Sequence, residues 1–164
     1  MYYRQASNQH IVEGMQFTID GITYPSSWLS IVTEQDKTNL GLEFVVTIGE
    51  FKDGKYYNNS EVLNGATLTI TSVAKPLNEV KTQAVQDIRA TAYSILFPSD
   101  WMVVKAMETS TPIPADWNTW RASIRTTAAD TVTAINAATD VDAVANVMAN
   151  IVWANDPNYV VPTE

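Results

Sequence analysis

Residues 66–98 read ATLTITSVAKPLNEVKTQAVQDIRATAYSILFP, and the hydrophobic period changes within them. Up to Val73, Thr67, Thr69 and Thr71 alternate with Leu68 and Ile70, the two-residue period of a half-buried strand. From Pro76, a residue accepted in a helix's first turn, Leu77, Val80, Ala84, Ile88, Ala92 and Ile95 step by three or four and form one apolar stripe, which Pro98 closes. The expected fold class is therefore α+β. A small antiparallel sheet occupies an N-terminal β-rich domain, 1–75, and a three-helix region occupies a C-terminal domain, 76–164.

Upstream, Phe17-Thr18-Ile19-Asp20-Gly21-Ile22-Thr23-Tyr24 places alternating apolar residues about an Asp-Gly pair, the strongest short-range hairpin signal. Glu43 to Phe51 and Ala66 to Val73 read as further strands, with Asp53-Gly54 and Asn64-Gly65 as turns. Tyr24-Pro25-Ser26-Ser27-Trp28-Leu29 reads as an extended corner, since proline removes a ladder donor and restrains the residue before it. Glu34 to Asn39, ending at Gly41, suits one helical turn. Asn58-Asn59-Ser60 fits a glycosylation pattern but is read as a turn.

Downstream, Ser99-Asp100-Trp101 opens a linking segment that runs through Pro112 and Pro114. A second helix is expected from Ala115, with Trp117, Trp120, Ile124, Ala128, Thr131, Ile135 and Ala138 on one face, and alanine favours its continuation past twenty residues. Thr139-Asp140-Val141-Asp142 resembles a capping signal for a third helix ending near Trp153, and Asn155-Asp156-Pro157-Asn158 is turn chemistry before an extended tail, Tyr159 to Glu164.

Composition narrows the chemistry. Of 164 residues, 46% are hydrophobic and 17% charged, the balance of a globular chain. Ten Lys+Arg against 18 Asp+Glu leave a net charge of -8, which repels phosphate backbones and anionic lipid, so neither nucleic acid nor membrane is expected as a partner. After Arg125 the chain has acids but no Lys or Arg. Without cysteine, thiol chemistry and cysteine-bound zinc are excluded. His10, the one histidine, sits in a polar stretch and is read as surface. Asp140-x-Asp142 lacks the glycine and alternating donors of a calcium loop, so it reads as a helix cap and not a metal site. The isolated glycines make no phosphate loop. Asp87, Glu108, Asp116 and Asp130 show no close pairing of the kind a hydrolase dyad needs. The expectation is a chain with no catalytic residues, no cofactor and no metal. With no basic start followed by an apolar run at the N-terminus, it is expected to be made soluble, in a cytoplasm.

The aromatics carry more information. Trp28, Trp101, Trp117, Trp120 and Trp153 accompany seven tyrosines and four phenylalanines. Trp117 and Trp120 are expected to pack on the first helix's stripe, and part of the set to anchor a protein partner. The Ala-rich face from Ala128 to Ala149 suits a close-packed helical hairpin or association with copies of itself, so a homo-oligomer is among the expected partners. If Trp101, Trp120 and Arg121 form a clamp between linker and second helix, Trp101 is a core residue; otherwise it is an interface anchor.

Two blocks resemble known families. Phe17-Thr18-Ile19-Asp20-Gly21, then Tyr24-Pro25-Ser26-Ser27-Trp28-Leu29 and Leu40-Gly41, resembles the opening of small tailed-bacteriophage proteins associated with tail fibres, and Phe51-Lys52-Asp53-Gly54-Lys55-Tyr56-Tyr57 resembles the aromatic turn that follows it. Ile88-Arg89 through Phe97, Ser99-Asp100-Trp101, Ile113-Pro114, Trp117, Trp120-Arg121 and Ile124-Arg125 is similar to the phage tail assembly chaperone family, which more often has tyrosine where Trp120 stands and ends sooner. Together the blocks touch roughly half the chain. The resemblance implies no catalytic residue. It implies protein–protein work with other phage tail or fibre proteins and transfers Asp100, Trp101, Trp120 and Arg121 as structural or interaction residues, beside Trp28 and Trp117. The expectation is a non-enzymatic tail-associated structural protein, made in the host cytoplasm and carried in the virion. The alternative is a transient assembly chaperone absent from the particle.

Overall fold

The computed structural model describes residues 1–158, so the expected tail from Tyr159 lies outside the described residues. The chain is α+β and divides into two compact units, Met1–Val73 and Ala74–Glu164.

In the first unit, β1 (Tyr2–Arg4) lies between β2 (Gln9–Ile11) and β5 (Leu42–Phe44), antiparallel to both. The hairpin β3 (Phe17–Ile19) and β4 (Ile22–Tyr24) turns at Asp20 and Gly21, both at positive φ (50° and 82°), the conformation a two-residue hairpin turn requires. Arg4 holds that turn through Asp20 at 2.7 Å and reaches the Leu40 carbonyl at 3.3 Å. The core is Tyr2, Ile11, Phe17, Ile19, Leu29 and Leu42, with Tyr24, Trp28 and Leu40 packed against it.

Several expectations are corrected here. The corner at Tyr24–Leu29 tightens into a helical turn, α1 (Trp28–Ile31), because the Pro25 carbonyl accepts from the Trp28 N–H at 3.0 Å. The helix expected at Glu34–Asn39 is α2 (Glu34–Asn39), started by a reciprocal Thr33–Asp36 capping box. The single strand expected at 43–51 is two: β5 ends at Phe44, Val45 is buried, and β6 (Val46–Ile48) joins a different sheet. That sheet has the order β6-β8-β7, with β7 (Tyr57–Asn64) and β8 (Thr67–Ala74) joined at Gly65-Ala66, and its β6–β8 pairing is parallel where only antiparallel strands were expected. Gly49 follows β6 at φ 86°, and a Cβ there would collide with the Ile70 carbonyl oxygen. Asn58-Asn59-Ser60 lies inside β7 and is not a turn; the Asn59 amide donates to the Lys52 carbonyl at 2.7 Å. His10, expected on the surface, is half-buried: its Nε2 lies 2.8 Å from the Gly65 carbonyl oxygen and its ring 4.9 Å from that of Tyr3.

The second unit is helical: α3 (Leu77–Leu96), α4 (Asp100–Thr109), α5 (Ala115–Ala137) and α6 (Val141–Ala149). The stretch expected to link two helices from Ser99 is itself a helix, α4, entered through a single 3-10 turn at Phe97–Ser99 and ended by Ser110 at φ 58°. Asp140, not Thr139, caps α6, accepting from the Ala143 N–H at 2.8 Å, and α6 stops at Ala149, short of Trp153. α3 packs on α5 and α6 through Val80, Ala84, Ile88 and Ala92 on one side and Trp120, Ile124, Ile135 and Val144 on the other. Ile124, Ile135 and Val144 are sealed from solvent. Burial of each such side chain stabilises by about 1.5–3 kcal/mol, so this seam and not intrinsic helix propensity holds the unit together. Among the described residues, no helix is long and apolar enough to cross a membrane.

Candidate functional site

The joint between α3 and α4 gathers most of the residues singled out in the sequence. A helix leaves its last carbonyls without intrahelical donors, and at the end of α3 the open carbonyl of Leu96 is met by a cation. Arg121, on the second turn of α5 and only 3% exposed, donates from Nη1 to the Leu96 carbonyl at 3.1 Å and to the Ser99 hydroxyl, and from Nη2 to Asp100 at 2.7 Å. Ser99 completes the set by donating to the same Leu96 carbonyl at 2.7 Å. One guanidinium thus serves the C-terminal end of α3 and the acidic first turn of α4. Its planar fork suits a carboxylate and a carbonyl at once, which an ammonium group would not reproduce.

Trp120, beside Arg121 on α5, points into the core with Ala92 and Ile124, and its indole N–H donates to the Ala154 carbonyl at 2.9 Å. Trp117 meets it edge to face at 5.4 Å. These two pack on the end of α3 as expected, among Ile95 and Leu96, with Trp153 closing over them. A cleft of about 550 Å³ lies between Ile95 and Pro98 on one wall, Trp117 on the other, and the segment from Trp153 to Asn158.

Trp101 behaves differently. It is 57% exposed, while Trp120 is 8% exposed, so of the two readings of Trp101 the clamp with Trp120 and Arg121 is not the one formed. The reason is the helical register of α4: Met102, Val103 and Ala106 take its inward face and turn Trp101 outward. There the Lys105 ammonium stands 5.8 Å from the indole centroid, and a hollow of about 150 Å³ separates the ring from the Thr111–Pro114 strand of chain. Trp28 belongs to the other unit, where it meets Phe17 at 5.8 Å and Tyr24 at 5.0 Å in an aromatic cluster.

Sequence reasoning missed Ser99 as Arg121's second partner and the residues around Trp101 that share its exposure: Tyr93, Phe97, Val104 and Met107. The spacing of Tyr93, Phe97 and Trp101 at every fourth position was the signal available for the latter. Among the described residues, no three His, Asp or Glu side chains converge. Around the joint, Tyr93, Phe97, Trp101, Val104 and Met107 present aromatic and aliphatic side chains to solvent. No family model matches this chain, and comparison with curated proteins and with solved structures finds no match.

Proposed function

We propose that this chain is a non-enzymatic structural protein of a bacteriophage tail, in the tail, baseplate or fibre-attachment region, that works through protein–protein contacts. The observation that carries the reading is the joint itself. Asp100, Trp101, Trp120 and Arg121, the residues of the block similar to the phage tail assembly chaperone family, divide into a buried fastening and an exposed tryptophan beside it. A tryptophan held outward on a pinned helix loses little conformational freedom when a partner covers it, which is how interface anchors work. The net charge of -8 supports a protein partner over a phosphate-rich one.

Quantitative mass spectrometry of purified virions beside the infected-cell lysate tests the proposal. A fixed number of copies per particle, in a ratio that fits ring or fibre symmetry, is the expected result. Abundance in the lysate with none in the particle would replace it with the transient assembly chaperone.

A further inference from the structure

We propose that the outward stripe formed by Arg89, Tyr93, Phe97, Trp101, Val104 and Glu108 is the seat of a second copy of this chain, laid antiparallel across it on a two-fold axis near Ser99. The proposal rests on the reading of the chain as one that works through protein contacts, and it names the partner.

The stripe is continuous although it crosses two helices. The chain passes the joint in a single 3-10 turn, with φ/ψ of -50°/-46° at Phe97, -103°/-1° at Ser99 and -65°/-29° at Asp100, and does not reverse. What carries the face from α3 into α4 is the burial pattern: Ile88, Ala92, Leu96, Ser99, Val103 and Ala106 are turned inward at steps of three or four across the turn. Ile88 and Ala92 are buried and Met102, Val103 and Ala106 half-buried on the inward side. Tyr93, Phe97, Trp101, Val104 and Met107 are all more than half exposed on the other, with the Tyr93 and Phe97 rings 5.7 Å apart. Arg89 and Glu108 are exposed at the two ends. From the first to the last the stripe is about 28 Å long at 1.5 Å per residue.

Two properties select a second copy as the occupant. The first is area. Large aromatic side chains carry roughly 150–250 Å² each, so the three exposed rings of the stripe with Val104, and Met107 beside them, offer on the order of 500 Å². That is at the upper end of what a solitary soluble chain leaves open and is the apolar centre of an ordinary interface of about 800 Å² per partner. The second is charge order. Arg89 stands at one end and Glu108 at the other, with Lys105 drawn in over the Trp101 ring, so the two ends are complementary in the reversed arrangement. With the axis beside Ser99, Phe97 lies over the second copy's Trp101, Tyr93 over its Lys105, and Arg89 within one residue of its Glu108. Every contact occurs twice, as a two-fold interface requires. A parallel arrangement would set arginine on arginine and glutamate on glutamate, a like-charge cost at both ends.

Sedimentation of the purified full chain from low to high micromolar concentration, with charge-reversed variants, tests this. The wild type is expected to approach twice the 18.1 kDa chain mass. Arg89→Glu and Glu108→Arg, both at exposed positions, should each weaken association on the order of tenfold or more while leaving the circular dichroism melt in place. The doubly reversed chain, and equally an equimolar mixture of the two single variants, should regain it. A monomer at every concentration overturns the proposal, as does a dimer indifferent to the reversals. Binding to neutral phosphatidylcholine vesicles by a chain that stays monomeric would assign the stripe to lipid and overturn it too. A solution monomer found at fixed copy number in virions sinks this inference and leaves the tail reading intact; a charge-sensitive dimer found in no particle does the reverse.

Discussion

Arg121 and Asp100 face one another at 2.7 Å across the joint of α3 and α4, the arginine sealed from solvent and the carboxylate half open to it. The same guanidinium meets the Leu96 carbonyl, so a single side chain on α5 fixes where α3 ends and where α4 begins. Removal of the carboxylate would leave a buried cation with only neutral acceptors. Because Asp100 is partly solvated, Asp100→Asn is expected to cost about 1–2 kcal/mol, less than the 3–5 kcal/mol of breaking a fully buried pair. Arg121→Ala, which also strips the Leu96 carbonyl and empties packing space, should cost more. Urea denaturation of the two variants against wild type checks the order, and equal stabilities would show that the joint is held by packing alone.

The two tryptophans nearest that joint should separate cleanly. Trp120→Ala empties a core position and removes the bond to the Ala154 carbonyl, with an expected loss of about 3–5 kcal/mol. Trp101→Ala removes a mostly solvated ring and should cost under about 1 kcal/mol. Thermal or urea melts decide it, and a Trp101 variant as unstable as the Trp120 variant would place the ring inside a core.

At Gly49, the positive φ and the collision a Cβ would make with the Ile70 carbonyl act together. Gly49→Ala is expected to destabilise the first unit by roughly 1–3 kcal/mol, from backbone strain and displacement of β6 from β8. The amides of β6 and β8 should lose hydrogen-exchange protection in the variant. Undiminished protection would mean that β6 does not depend on this glycine.

Lys37 and Asp36 give the first unit opposite responses at the extremes of pH. The Glu34 carboxylate at 2.6 Å and then the Tyr2 hydroxyl at 2.9 Å hold the Lys37 ammonium up to about 12, from an ordinary 10.5. A raised folded value means that the stabilisation is fully present below 10.5 and is lost as pH climbs toward 12. Asp36 is held below the ordinary carboxyl value of 3.8 by hydrogen bonds from the side chain and then the backbone of Thr33, so its contribution is present above that value and fades as pH falls through the lower, folded one. Stability measured at rising alkaline pH should decline more steeply in the wild type than in Lys37→Met. Parallel curves would remove Lys37 as the cause.

Much of this architecture was legible in local pattern. The Asp20-Gly21 turn, the short helix at Glu34–Asn39, the stripe of α3 and the start of α5 at Ala115 depend on residues within four positions of each other, and such neighbours are fixed by the chain itself. α4 has a helical spacing in Trp101, Val104, Lys105 and Glu108, but Pro112 and Pro114 just beyond it are equally the mark of a linker. Of the residues marked for a site, the pairing of Asp100 with Arg121 across 21 positions had no local signature.

The amino-acid sequence by itself determined the α+β class, the change of period near Pro76 and the acidic, cysteine-free chemistry, because composition and short-range periodicity are properties of the chain before it folds. Tertiary structure alone decided that the chain from Leu42 to Ile48 serves two sheets, that β6 runs parallel to β8, that Trp120 turns inward and Trp101 outward, and that one arginine binds two helix ends. Each of these is a pairing between distant segments. Its energy arises from burial and from satisfying polar groups that water no longer reaches, and neither exists until the segments meet.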